Sequence, residues 1–210
     1  MKIILLGAPG SGKGTLAKKI TQDFDIPQIS TGDLFRECVK DGSEFGKKVQ
    51  AIMASGNLVP DEVTIQLVKN RIAKDDCQKG FILDGFPRNI VQAEALDKIT
   101  HIDGIILLDV ENQTVIERLS TRRTCPSCKE IYNIRTYNKR ECGKCGATLI
   151  QRDDDKLEAI KHRLEVYETT TSPLINFYSD RLFKVSADKS PDDTYRPVKT
   201  FLENLEAKSE

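Results

Sequence analysis

Near the N-terminus the run Gly7-Ala-Pro-Gly-Ser-Gly-Lys13 carries the spacing G-x-x-x-x-G-K. That spacing suits phosphate. Glycines let backbone N–H groups turn inward around phosphate oxygens, a helix N-terminus adds its positive dipole end, and a lysine supplies a point charge for β- and γ-phosphates. The apolar run Ile3 to Leu6 precedes the loop and Thr15-Leu-Ala-Lys-Lys-Ile20 follows with helical spacing. The loop therefore leaves a buried strand and enters a helix, the context this chemistry needs. Three fixed positions give on the order of 0.07 accidental matches in a chain of this size. Gly14 stands where a magnesium-holding Ser or Thr commonly follows the lysine, with Thr15 next. That departure argues against a regulatory nucleotide switch or a motor.

Two C-x-x-C pairs, Cys125-Pro-Ser-Cys128 and Cys142-Gly-Lys-Cys145, form a second constellation, 13 residues apart. Two such knuckles can place four thiolates tetrahedrally around zinc. Gly143 and Gly146 permit the tight backbone a knuckle requires. Few apolar side chains surround them, so a metal could replace a missing core. With no histidine or carboxylate inside the constellation, a structural site is expected rather than a catalytic one. Disulfides, or iron at the same thiolates, are the alternatives. Cys38 and Cys77 lie outside the cluster and read as partly buried.

Arginines provide a third signal. Arg36 and Arg88 precede the cysteine segment, Arg118, Arg122 and Arg123 enter it, and Arg152 and Arg163 follow it. From Arg118 to Arg163 there are 12 basic and 6 acidic side chains, a local +6 in a chain of net charge +0. Planar guanidinium forks suit phosphate. Asp84 ends an apolar run, where magnesium-associated carboxylates of phosphate-loop proteins sit, and Asp33 is a second candidate. No general base is required for transfer between phosphates, because a phosphate oxygen with a second pKa of about 6 arrives largely ionised. His101, in a loop, and His162, in a helix, read as structural.

The composition bounds the protein that must position these groups. With 210 residues and 39% hydrophobic content, one α/β core and a small satellite can form. The 32 basic and 32 acidic side chains balance, which argues against disorder and against a chain-wide nucleic-acid or membrane surface. No apolar run approaches the roughly 18 residues of a membrane span. Ile3 to Leu6 is too short for a signal peptide, so the expected location is cytoplasmic. Six cysteines are too few for a disulfide scaffold.

Continuous apolar runs at Lys2–Leu6, Gly80–Asp84 and Gly104–Val110 predict strands buried on both faces, with further short strands at Ile26–Ile29 and Leu182–Val185. Helices are expected between them, which implies parallel βαβ units. Ser30 to Val59 reads as short helices and turns, and Pro60-Asp-Glu62 opens a stronger helix through Ile72. From Arg122 to Arg152 the helical period disappears and a β-rich module is expected. Helix should resume at Asp153-Asp-Asp155, with Asp155 and Glu158 at capping-box spacing and a buried stripe of Leu157, Ile160, Leu164 and Tyr167. A closing helix covers Thr194 to Leu205.

Gly7-Ala-Pro-Gly-Ser-Gly-Lys-Gly-Thr15, Ile29-Ser-Thr-Gly-Asp33 and Leu83-Asp-Gly-Phe-Pro-Arg88 occur together and in this order. The chain thereby closely resembles the adenylate kinase family in its bacterial long-lid form, from Met1 to about Tyr178 and more loosely beyond. The resemblance implies an α/β fold with a parallel-sheet core like that of phosphate-loop NTPases, flanked by helices and spanning 1–29, 60–121 and 156–210. It also implies a helical AMP-binding insert at 30–59 and a small β-rich metal-binding lid at 122–155. The implied activity is reversible transfer of the terminal phosphoryl of MgATP to AMP, giving two ADP.

The resemblance further implies that Gly10, Ser11, Gly12, Lys13, Gly14 and Thr15 hold ATP, with Arg118, Ile131 and Tyr132 near its adenine and Ser190 as a backbone contact. Thr31, Arg36, Asn57, Leu58, Val59, Gly85, Phe86, Pro87, Arg88 and Gln92 would hold AMP. Arg122, Arg152 and Arg163 would gather phosphates as the lid closes. Implied cofactors are Mg2+ with ATP and a structural Zn2+ at Cys125, Cys128, Cys142 and Cys145, and the expected assembly is a monomer. The rivals are a kinase for UMP, CMP or GMP, a zinc-ribbon nucleic-acid binder using the +6 segment, and a nucleotide switch.

Overall fold

In the computed structural model, residues 1–207 are described. Five strands form one sheet in the order β2 (Gln28–Ser30), β3 (Phe81–Asp84), β1 (Lys2–Gly7), β4 (Gly104–Asp109), β7 (Leu182–Ser186). Every pairing in it is parallel, with Leu5 opposite Asp84 and Leu6 opposite Leu107. Parallel strands need crossovers, and helices supply them on both faces. This explains the unbroken apolar runs. Ile4, Leu6, Leu83, Ile105 and Leu107 point into one core with Leu96, Phe86 and Tyr178. Ile3, Leu5, Ile82, Ile106 and Leu108 point into the opposite core with Leu16, Ile20, Val198 and Leu202. Alternate residues serve opposite faces, so the middle of β1, β3 and β4 is apolar throughout, and Lys2, Asp84 and Asp109 fall at strand ends.

Helix α1 (Lys13–Phe24) follows β1 directly and packs in the second core through Leu16, Ala17 and Ile20. After β2 come α2 (Thr31–Lys40) and α3 (Glu44–Ala54), each started by a serine: Ser30 Oγ accepts from the Asp33 N–H and Ser43 Oγ from the Gly46 N–H. They share a small core of Phe35, Val49 and Val59. Helix α4 (Asp61–Ile72) begins behind Pro60, and α5 (Ile90–Ile99) is capped by Asn89, whose Oδ1 accepts from the Gln92 N–H. Helix α6 (Asn112–Ser120) leads into β5 (Arg122–Thr124), which pairs antiparallel with β6 (Ile131–Asn133) in a separate two-stranded sheet. Isolated bridges Thr124–Ile150 and Glu141–Thr148 complete this β-rich segment.

The helix after it differs from the sequence expectation. Asp153–Asp155 forms a single 3-10 turn, and α7 (Leu157–Val166) starts two residues later with no side-chain cap. Asp155 is not a cap because its carboxylate is fully buried against arginines. Of the expected stripe, Ile160 and Leu164 are buried and Tyr167 packs half-buried against them, while Leu157, the first helical residue, is 49% exposed. A π-helical turn (Tyr167–Thr171) and α8 (Leu174–Phe177) lead to β7. Helix α9 (Pro191–Ala207) starts three residues earlier than expected, capped by Ser190 Oγ, which accepts from the Asp193 N–H.

Candidate active site

A cavity of about 1050 Å3 opens at the C-terminal end of the sheet, where β1 ends in Gly7 and β3 in Asp84. Residues from the phosphate loop, from α2 and α3, and from the β5–β6 segment all line it. In the loop, Gly12 sits at φ 103 immediately before α1 and offers no side-chain cap. Only glycine adopts that left-handed conformation cheaply, and the first N–H groups of a helix have no partner within it. An uncapped, positively polarised helix end thus faces the cavity. Lys13 Nζ lies across the loop, donating to the carbonyls of Gly7 and Ala8, both at 2.8 Å. Burial lowers its pKa to about 8. Asp84 pulls the other way, and Arg88, Arg163 and Arg122 add to the lowering.

The lining is strongly cationic although the chain as a whole is neutral. Lys13, Lys18, Arg36, Arg88, Arg118, Arg122, Lys129, Arg152, Arg163 and Lys189 face only Asp33, Asp84 and Asp154. Burial and neighbouring guanidinium groups bring Arg88 and Arg152 each down to about 10. Arg152 Nε is buried with no hydrogen-bond partner among the described residues. A buried unmatched donor is costly, so the cage is organised for an anion. Arg122 makes a two-pronged pair with Asp155, Nε–Oδ2 at 2.8 Å and Nη2–Oδ1 at 2.6 Å. Arg163 pairs with Asp154 at 2.9 Å and reaches the same Asp155 Oδ1 at 3.4 Å. These aspartates fix the forks and leave the cavity cationic. In the sequence Asp154 and Asp155 carry only the signature of a helix start, and nothing local marks them as arginine anchors.

Asp84 Oδ2 accepts from Gln28 Nε2 at 2.9 Å and lies 3.8 Å from where a Cβ on Gly14 would be. Gln28 Nε2, at 3.9 Å, is the other group near that position, and a carboxylate facing the loop fits a hydrated divalent cation. Asp33 is bound by Arg36 at 2.6 Å. Burial raises its carboxyl pKa, yet Arg36, Arg152 and Lys129 outweigh this and hold it below the usual range.

A side recess of about 40 Å3 shares Asn57, Leu58, Gly85 and Arg88 with the main cavity and adds Thr31, Val59 and Gln92. Gly85, at φ +83, must be glycine: a Cβ there would meet Thr31 Oγ1 at 2.9 Å. Phe86 lines neither space, because its side chain lies in the first core. Pro87, after a cis peptide, and Arg88 line the main cavity. Thr31 donates to the Gly85 carbonyl at 2.9 Å. Both ends of the Gln92 amide are engaged by protein groups, at Arg88 and Asp61.

Arg118 Nη2 donates to the Ala187 carbonyl at 2.7 Å, and Arg118, Ile131, Tyr132 and Tyr137 all line the main cavity. Ser190 is not in that lining, its carbonyl accepting from the Thr194 N–H at 2.9 Å; Ala187, Lys189 and Pro191 are. His162 is a structural tie, with Nε2 2.7 Å from Asn57 Oδ1. Cys77 is buried more completely than its sequence suggests, and Cys38 is partly buried.

Two ion pairs close the cavity rim. Lys18 on α1 meets Glu130 at 2.9 Å, and Lys129 meets Glu37 on α2. No sequence signal identifies them, since charged surface residues are common and the partners are remote.

Beyond the rim, the four thiols of Cys125, Cys128, Cys142 and Cys145 lie within 4.8 Å of one another. The pairs Cys125–Cys145 and Cys128–Cys142 are at 3.4 and 3.5 Å, and all four are free of disulfides. A tetrahedron with metal–sulfur bonds of about 2.3 Å has edges of about 3.8 Å, so the cluster fits a closed four-thiolate site. The Tyr132 hydroxyl, 3.2 Å from Cys142 Sγ, leads the groups that hold the Cys142 thiol down to about 6. Among the described residues, no helix is long and apolar enough to cross a membrane.

A family model described as adenylate kinase matches residues 5–182. An adenylate kinase from Thermoanaerobacter pseudethanolicus is 49% identical, covering 96% of this chain and 98% of its own. One from Fervidobacterium nodosum is 46% identical, and one from Archaeoglobus fulgidus 44%, each over 99% of this chain and its own full length.

Proposed function

Because the chain belongs to the adenylate kinase family, we propose that its cavity performs reversible transfer of the terminal phosphoryl group of ATP to AMP, giving two ADP and balancing the adenine nucleotide pool. The observation that carries this reading is the buried cationic cage between the phosphate loop and a second recess, suited to two phosphate chains end to end.

Phosphoryl transfer asks a protein for alignment and charge stabilisation more than covalent help. The backbone from Gly10 to Thr15 and the Lys13 ammonium bind the phosphates of ATP. Arg118, Ile131 and Tyr132 bracket its base, and Ser190 acts there only by shaping the start of α9. Arg36 and Arg88 take the AMP phosphate. Thr31, Asn57, Leu58, Val59, Gly85, Pro87 and Gln92 receive the nucleoside, with Phe86 anchoring their turn from the core. Arg122, Arg152 and Arg163 converge on the transferring group and strengthen as its charge spreads. Magnesium bound with ATP neutralises phosphate charge, and Asp84 is the residue that would hold it through water. Zinc would suit the four thiolates as a structural staple.

We assign 30–59 and 122–155 as inserts that close over AMP and ATP, and 1–29, 60–121 and 156–210 as the core; residues 208–210 lie outside the described residues. Closure excludes water, which would otherwise accept the phosphoryl group. The free cysteines agree with a cytoplasmic location, and the expected assembly is a monomer acting on small nucleotides. The test is an ADP-forming assay with ATP and each of AMP, UMP, CMP and GMP. AMP is expected to dominate, and Lys13→Ala to lose several orders of magnitude in turnover; equal use of all four would overturn the assignment.

A further inference from the structure

Gln92 is 1% exposed and lines the side recess. Its Oε1 accepts from the Arg88 backbone N–H at 2.8 Å, and its Nε2 donates to Asp61 Oδ1 at 2.8 Å. A glutamine amide can present either polarity, but here the partners decide. A backbone N–H can only donate. Asp61 Oδ1 is already an acceptor, since Asn89 Nδ2 donates to it at 2.9 Å. Asn89 is itself oriented, because its Oδ1 accepts from the Gln92 N–H at 2.9 Å. Turning the Gln92 amide over would oppose donor to donor at Arg88 and acceptor to acceptor at Asp61.

The fixed amide has one N–H and one oxygen lone pair left. Around it the recess is acceptor-rich. The Thr31 hydroxyl hydrogen is committed to the Gly85 carbonyl at 2.9 Å, and the Thr64 hydroxyl hydrogen to the Pro60 carbonyl at 3.1 Å. Both oxygens can therefore only accept from a ligand. An acceptor beside a donor complements a ring edge with an amino group next to an unprotonated ring nitrogen, the pattern glutamine reads in adenine. A 6-oxo purine presents the reverse pattern. The recess, at about 40 Å3, exceeds the roughly 10–15 Å3 that one water needs on the same measure, so it admits a group of amino size.

We propose that Asp61, with the Arg88 N–H, locks the Gln92 amide in the polarity that selects amino-bearing over oxo-bearing bases, making Asp61 a positioning residue for the choice of monophosphate. This rests on the assignment of the recess to the AMP base. Asp61 does not touch the nucleotide; it acts through Gln92.

AMP and IMP differ only at the edge in question, so they make the test. Wild-type protein is expected to favour AMP over IMP by about 10³-fold or more in kcat/KM, as sites that leave polar groups unmatched do. Asp61→Asn is isosteric and can donate as well as accept, and Asp61→Ala removes the acceptor. Both are expected to reduce the AMP/IMP preference at least tenfold, through a raised KM for AMP and a lowered KM for IMP. A purely structural role would weaken both substrates alike. Melting curves establish that each variant is folded. The lock is overturned if both folded Asp61 variants keep the wild-type preference while Gln92→Leu loses it. If Gln92→Leu also keeps the preference, the assignment of the recess to the base is what fails.

Discussion

Lys13 shows how a single residue couples loop geometry to proton binding. Its pKa is lowered from 10.5 to about 8 by burial, opposed by Asp84 and reinforced by Arg88, Arg163 and Arg122. The unfolded chain holds that proton to higher pH, so the penalty this group places on folding, full below about pH 8, is relieved progressively as pH rises to 10.5. Phosphates placed against it act in the opposite direction and raise its pKa. ATP binding should therefore take up a proton above pH 8, and affinity should fall as pH climbs. Calorimetry at pH 9 in two buffers of different ionisation enthalpy is expected to show uptake of up to one proton in the wild type and none in Lys13→Ala. Equal heats in the two buffers for the wild type would mean that Lys13 is already protonated in the free cavity.

At the scale of elements, the β5–β6 segment has little apolar matter of its own. Ile131, Ile134 and Ile150 are exposed, and Cys125 and Cys142 are among its few buried side chains. A metal in the thiolate cluster would supply the missing core. Lys129, at φ 62, turns the backbone just after Cys128, and its N–H donates to the Cys125 carbonyl at 3.1 Å. That turn sends Lys129 toward α2 and its neighbour Glu130 toward α1. Removing a ligand by Cys142→Ser should lower the melting temperature by about 5–10 °C, given mass-action stabilisation by bound metal and the size of the chain. Turnover with magnesium is expected to persist at low temperature, because a closed four-thiolate site has no position for substrate. Loss of turnover while circular dichroism shows an intact fold would assign the cluster a direct role. Elemental analysis of protein purified under reducing conditions checks that a metal is bound.

Across the whole molecule, the rim pairs Lys18–Glu130 and Lys129–Glu37 join the β5–β6 segment to α1 and α2. Both are solvent-exposed, with side chains 32–55% accessible. Exposed pairs contribute about 0.2–1 kcal/mol and are screened by salt. In the closure proposed for the 30–59 and 122–155 inserts, such pairs would bias the closed arrangement without holding it shut, which suits an enzyme that must release product. Glu37→Gln should weaken binding of an ATP–AMP pair by no more than about five-fold. The effect should shrink as salt rises from about 0.05 to 0.5 M. A tenfold loss that survives high salt, measured by titration calorimetry, would contradict this weak latch.

Much of this protein is determined within short stretches of chain. The phosphate loop needs only adjacent glycines, one lysine and the helix behind them, and each C-x-x-C knuckle closes within four residues. Strands buried on both faces are likewise visible as unbroken apolar runs, since alternate residues serve the two cores. The arginines are legible as residues but not as a cage. What each cation faces depends on packing between remote segments: Arg122 meets Asp155 across 33 residues, and the lysine Lys129 meets Glu37 across 92. Asp155 carries the same local signature as a helix cap, and only burial among guanidinium groups turns it into their anchor. Gln92 likewise has no polarity in the sequence. Its amide acquires one from Asp61, 31 residues away, and from the Arg88 N–H, because hydrogen-bond direction is set by whichever groups the fold brings within 3 Å.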